Sequence, residues 1–229
     1  MQGVLVLVAA AAGLVAGCPL NAVIDQVSRK EPGRLAIRWQ LPATPEARLV
    51  HLAGAALFAA AAVRFGWSPV LPAWLVLVAG LLAISVIDLE HYIVPNRILV
   101  PMTIAALPLL ALGVLDDEID PADLIRAVLA GAAGLTAMLA LNLISPRGMG
   151  MGDVKMSFVL GLHLGVLGWG QVVLGFFSAF LLGAVVGLTL IALKIRGRKD
   201  AVPFGPFLAA GTVLAALWGD PILRWYSGG

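Results

Sequence analysis

The sequence predicts an all-α fold: a polytopic membrane bundle of about eight transmembrane helices with both termini outside. Three observations carry this. Of 229 residues, 61% are hydrophobic and 12% charged, where a soluble globular domain has about 25% charged. The apolar residues fall into eight runs, most of them near the ~20 residues needed to cross a hydrocarbon core. Basic residues alternate between loops, as they do when Lys and Arg collect on the cytoplasmic side.

The first run, residues 3–24, has no basic residue before it, and Arg29, Lys30, Arg34 and Arg38 follow it. That order marks a retained anchor with its N-terminus outside, not a cleaved signal peptide. The loop at about 25–48 is too short to build its own core. The second run, 49–63, is short. The third, 71–87, is uninterrupted and ends at Asp88. The fourth, 98–115, is introduced by Pro95, which suits the first turn of a helix. The fifth, 124–145, follows the acidic stretch "DDEIDPAD". The sixth, 156–167, covers only about 18 Å against a core of about 30 Å. It is either a short helix shielded by its neighbours or one that runs on through "GVLGWGQ". The seventh spans 172–193 and the eighth 203–218. No repeat or low-complexity linker marks a second domain, so the chain reads as a single domain, 1–229.

Charge tests this count independently of hydropathy. Twelve of the fifteen basic residues fall in one alternate set of loops, and only Arg64, Arg126 and Arg224 fall in the other. The net charge of +2 and pI near 9.0 do not point to nucleic acid, because the basic residues form no basic domain with interleaved aromatics. The tract "KIRGRK" at 194–199 sets orientation and meets anionic lipid. Cys18 is the only cysteine, so no internal disulfide and no all-cysteine zinc site can form.

This topology places "IDLEHYIVPN" (87–96) and "GMGMGDVK" (148–155) on one face. An ionisable residue at the edge of a span is costly and is by default a functional candidate. Asp88 closes an apolar run and Asp153 opens one. Two carboxylates in a partly dry site do not both ionise comfortably; the pair holds one proton and is acid and base together. Such a pair activates water against a peptide carbonyl. Gly148, Gly150 and Gly152 suit the site by permitting positive φ and close approach of a substrate backbone. The plainer reading of either aspartate alone is a helix cap or boundary residue.

The neighbours carry weaker signals. Lys155 either supports the ionised aspartate or snorkels to headgroups. Pro203, Phe204 and Gly205, in "PFGPF", form either a kinked entrance for an extended substrate or an ordinary helix start. Glu90 and His91 read as interfacial, and His51 and His163 as structural. "GLHLG" and "GAVVG" are Gly-x-x-x-Gly packing patterns. "GMGMGDVK" lacks the Gly-Lys-Ser/Thr ending of a phosphate loop. A proton-coupled transporter or channel is the rival class, but it would place its site at midplane between repeated halves. A third reading is an inactive relative acting as an assembly partner.

Four segments resemble the type IV prepilin peptidases, membrane aspartyl proteases of the Gly-x-Gly-Asp group. "GCPLNAVI" (17–24) resembles the family's first-helix exit and "DLEHYIVPN" (88–96) its first aspartate motif. "GMGMGDVKM" (148–156) resembles the second, and "VPFGPFLAAG" (202–211) the start of the last helix. They occur in the family's order over nearly the whole chain. The resemblance implies cleavage of type IV prepilin or pseudopilin precursors on the cytoplasmic side, after a glycine ending a short basic leader. It puts Asp88 and Asp153 in the catalytic positions, with no cofactor needed for proteolysis. Many relatives bind zinc through two Cys-x-x-Cys pairs in the first cytoplasmic loop; this loop has no cysteine, so zinc is not expected. Many also methylate the new N-terminus with S-adenosylmethionine, an activity that the short loop argues against. Asn96 stands where the family's first motif usually ends in Asp, a position it does not use as a catalytic acid.

Overall fold

The computed structural model describes residues 1–29, 39, 42, 44–145, 149–197, 200 and 202–228. The middle of the first loop, Gly148, and Arg198 and Lys199 of the basic tract lie outside them. Eight helices follow in order: α1 (Gln2–Ser28), α2 (Pro45–Phe65), α3 (Leu71–His91), α4 (Asn96–Leu115), α5 (Pro121–Ile144), α6 (Met151–Leu167), α7 (Trp169–Ala192) and α8 (Gly205–Ser227). Among the described residues there is no strand. Seven helices are long and apolar enough to cross a membrane, and the 17-residue α6 is not one of them. The expected all-α, multi-pass membrane architecture is therefore present.

The elements depart from the apolar runs mainly at their ends, because charged and capping residues extend helices that hydropathy truncates. α2 begins at Pro45: Thr44 Oγ1 accepts from the Ala47 N–H at 3.2 Å, and proline is harmless in the first turn. α1 continues through Pro19 to Ser28, so the segment expected to be the first-helix exit lies inside the helix. α6 ends at Leu167, followed by Gly168, whose φ of +146° favours glycine, and α7 starts at once. The sixth helix therefore does not run on through "GVLGWGQ".

Two compact units divide the chain. The first comprises Met1–His91 and Pro95–Pro121, the second Tyr92–Val94 and Ala122–Gly229. In the first unit α1 and α2 meet through small residues. A Cβ on Gly54 would lie 2.9 Å from the Gly13 carbonyl oxygen, and one on Gly17 would lie 2.5 Å from the His51 ring. His51 is buried there with Nδ1 2.7 Å from the Leu14 carbonyl, a packing role. α3 supplies the core, with Trp74, Leu77, Leu81, Ile84 and Ile87 all buried.

In the second unit α6 is the most enclosed helix, with twelve of its seventeen residues buried. Its glycines explain how. A Cβ on Gly161 would sit 2.5 Å from the Ala130 carbonyl oxygen, and one on Gly165 2.8 Å from the Ala127 Cα, so the "GLHLG" pattern lets α6 lie against the backbone of α5. "GAVVG" behaves differently. Gly183 lies near Phe204 and Phe207, but nothing approaches Gly187. His163 is buried, with Nδ1 2.9 Å from the Val159 carbonyl one turn back.

Candidate active site

Asp153 is the third residue of α6, not part of the turn before it. Its Oδ2 accepts from the Gly150 N–H at 3.2 Å, and its own N–H donates to the Gly150 carbonyl at 3.1 Å. The carboxylate thus satisfies a backbone donor that every helix leaves orphaned at its start. It also lies at the positive end of the helix dipole, where negative charge is stabilised. Asp153 is only 6% exposed. The cap reading and the functional reading therefore apply to the same residue.

The glycines serve space rather than left-handed backbone. Gly150 has φ −75° and ψ 147°, an extended conformation open to any residue, and Gly152 lies in the helix. A Cβ on Gly150 would lie 3.3 Å from Asp153 Oδ2, and one on Gly152 only 2.6 Å from the Val94 Cβ. Glycine at these two positions keeps the carboxylate uncrowded and lets the residues before Pro95 pack directly on the first turn of α6. The expectation of positive φ here is corrected accordingly.

Three further residues shape this turn, and no sequence pattern singled them out. Tyr92 adopts φ +57°, a conformation uncommon for a bulky side chain. Arg196 Nη2 donates to its hydroxyl at 2.7 Å, and the guanidinium lies 5.9 Å from its ring centroid. Asn142 Nδ2 donates to the Met149 carbonyl at 2.7 Å and fixes the chain just before α6. Tyr92 and Val94 fall inside a quoted motif, but their roles need the fold; Arg196 read only as part of a basic tract.

Asp88 occupies the last turn of α3, beside the fully buried Ile87, and is only 4% exposed. Its setting is opposite to that of Asp153, because the C-terminal end of a helix disfavours negative charge. Glu90 and His91, just beyond it, are exposed and meet at 3.6 Å. Lys155 is exposed and lies two positions from Asp153, a spacing that does not put two side chains on one helix face. Pro203 and Phe204 precede α8 and Gly205 begins it. Phe204 packs against Phe180 at 5.0 Å and Phe207 at 6.4 Å between ring centroids, and Pro206 sits in an ordinary first turn.

Comparison with known proteins bears on the same segments. The model of the type IV leader peptidase family matches residues 75–188, which include both aspartates. The prepilin leader peptidase/N-methyltransferase of Bacillus subtilis (strain 168) is 38% identical over 182 residues, covering 80% of this chain and 68% of the relative. The proteins of the same name from Aeromonas hydrophila and Pseudomonas aeruginosa are 33% and 34% identical, covering 82% and 78% of this chain. The chain spans 63% and 60% of those two relatives' own lengths. No solved structure gives a significant match. On this combination of helical membrane architecture, two buried boundary aspartates and a relative matched over two thirds of its length, the chain belongs to the type IV leader peptidase family.

Proposed function

We propose that this protein is a membrane aspartyl endopeptidase that removes the short basic leader from type IV prepilin or pseudopilin precursors. The observation that carries the proposal is the pair of buried aspartates at helix ends, Asp88 and Asp153, inside segments that match prepilin leader peptidases. The working location is the cytoplasmic membrane with the site toward the cytoplasm. Supporting this, both aspartate segments fall next to the loop set holding twelve of the fifteen basic residues.

In this reading the helix ends favour one division of roles. Asp153, at a helix N-terminus, is the carboxylate and general base; Asp88, at a helix C-terminus, holds the shared proton and is the general acid. Asp153 takes a proton from water as the water oxygen attacks the scissile carbonyl carbon. Asp88 donates its proton to the carbonyl oxygen, giving a hydrated carbonyl. On collapse, Asp88 recovers a proton from one hydroxyl, Asp153 delivers its proton to the leaving nitrogen, and the C–N bond breaks. The sequence of transfers needs no metal or redox cofactor. Gly150 keeps Asp153 open toward the substrate backbone and Gly152 acts indirectly, by letting Val94 close on the first turn of α6; Lys155 and the Pro203, Phe204 and Gly205 segment are assigned the flanks of the approach. Methylation by S-adenosylmethionine is not assigned to this chain.

The test is cleavage of a pilin-like precursor by reconstituted parent, Asp88→Asn and Asp153→Asn proteins in equal folded amounts. Each variant is expected to lose at least about 100-fold in rate, because the amide keeps the shape but cannot exchange the proton. Cleavage at the parental rate by either one removes that residue from the dyad.

A further inference from the structure

We propose that Arg196 is a positioning residue for the candidate active site: through Tyr92 it holds the link before Pro95, and that link holds the first turn of α6, which carries Asp153. The inference deepens the peptidase reading above and rests on it. Its contacts lie within the second compact unit, to which Tyr92–Val94 belong together with α6 and α7.

An exposed arginine is ordinarily a solvated charge, and a surface contact made by one is worth little. Arg196 differs because its backbone is fixed on both sides. α7 closes with Lys194 at φ +56°, the left-handed position after a helix end where glycine is usual. The Lys194 N–H donates to the Ile191 carbonyl and the Ile195 N–H to the Leu190 carbonyl, each at 3.0 Å, the paired bonds that turn a chain away from a helix end. On the other side, the Gly197 N–H donates to Asp200 Oδ2 at 2.7 Å. Arg196 therefore leaves a defined turn, and its guanidinium meets one ring twice. Nη2 donates to the Tyr92 hydroxyl at 2.7 Å, and Cζ lies 5.9 Å from the ring centroid.

Tyr92 is the strained partner. Its φ of +57° is uncommon for a bulky side chain, and such a conformation persists only where surrounding contacts hold it. Two residues on, Val94 fills the space where a Gly152 side chain would stand, and Gly152 directly precedes Asp153. Contacts and short stretches of chain thus run without a break from the end of α7 to the candidate catalytic carboxylate. Releasing Arg196 frees Tyr92 to leave the left-handed region, which moves the link and withdraws Val94 from Gly152. The effect falls on the placement of Asp153, so it belongs to the rate of the chemical step rather than to substrate affinity.

The experiment uses the full chain in nanodiscs, with Cys18 replaced and a spin label on a cysteine at Ile93; rates are measured on unlabelled protein with the pilin-like precursor. In Arg196→Ala the label is expected to become more mobile than in the parent. Its kcat is expected to fall about tenfold with KM nearly unchanged, the size and form of a small misplacement made far from the chemistry. Tyr92→Phe removes the accepting hydroxyl and lowers kcat in the same direction. The Arg196→Ala/Tyr92→Phe protein is expected to be no slower than Arg196→Ala alone, because both changes cut one contact. Losses that multiply in the double variant overturn the proposal, as does a lower unfolding midpoint with kcat unchanged. A kcat loss confined to nanodiscs containing anionic lipid also overturns it and gives Arg196 to the headgroups. A parent that does not cleave removes the peptidase function; the label then decides separately, and unaltered mobility in Arg196→Ala shows that Arg196 does not hold the link.

Discussion

At the scale of single residues, the first turn of α6 is governed by contact distances. Gly152 has no side chain because Val94 occupies the space, at 2.6 Å from where a Cβ would be. Gly152→Ala must therefore push the residues before Pro95 away from Asp153, and overpacking of this kind costs about 1–3 kcal/mol. Thermal unfolding is expected to show that loss, with a fall in precursor cleavage. Because the clash is with the Val94 Cβ, Val94→Gly in the same chain should restore much of both, and Val94→Ala should not. A neutral Gly152→Ala would show that the contact does not constrain the turn. The position of Asp88 and Asp153 at helix ends is legible in the sequence, since a carboxylate bordering an apolar run stands out by cost alone. Tyr92, Val94 and Arg196 were not, because nothing in spacing tells a tyrosine that it will meet an arginine 104 positions away.

At the scale of elements, the short sixth helix presents the sharpest case. Its apolar run begins at Met156, yet the helix starts at Met151, because a capping aspartate and two glycines are invisible to hydropathy. Its other end is closed by Arg126 of α5. Nε donates to the Gly165 carbonyl and Nη2 to the Val166 carbonyl, both at 2.7 Å, while Nη1 pairs with Asp123 at 2.7 Å. In the charge count Arg126 was one of three basic residues in the poorly charged loops. The structure shows that it satisfies carbonyls at the C-terminal end of α6. Lysine carries the same charge but cannot present three such donors from one plane. Arg126→Lys is therefore expected to lose about 2 kcal/mol of stability, read as a lower unfolding midpoint, with Arg126→Ala at least as unstable. If both variants melt with the parent, the helix end is satisfied in some other way.

For the whole molecule, the question is whether α6 counts as a crossing. At 17 residues it is about 25 Å long, short of a hydrocarbon core of about 30 Å. That length limit applies to helices facing lipid. With twelve residues buried and both ends satisfied within the second unit, α6 has little surface that lipid must cover. Eight crossings are even, so the two termini should share one side, and the charge pattern makes that side the one opposite the basic loops. Reporters fused to the two ends are expected to report the same compartment. With Cys18 replaced, a cysteine at Asp117 should react from the side of the termini and one at Met149 from the other. A C-terminus opposite the N-terminus would make α6 re-entrant. Even then the segments after Asp88 and before Asp153 would stay on one side of the membrane, because only α4 and α5, of 20 and 24 residues, cross between them. Opposite labelling of cysteines at Ile93 and Met149 would therefore be the topological result that rules out a shared aspartate site.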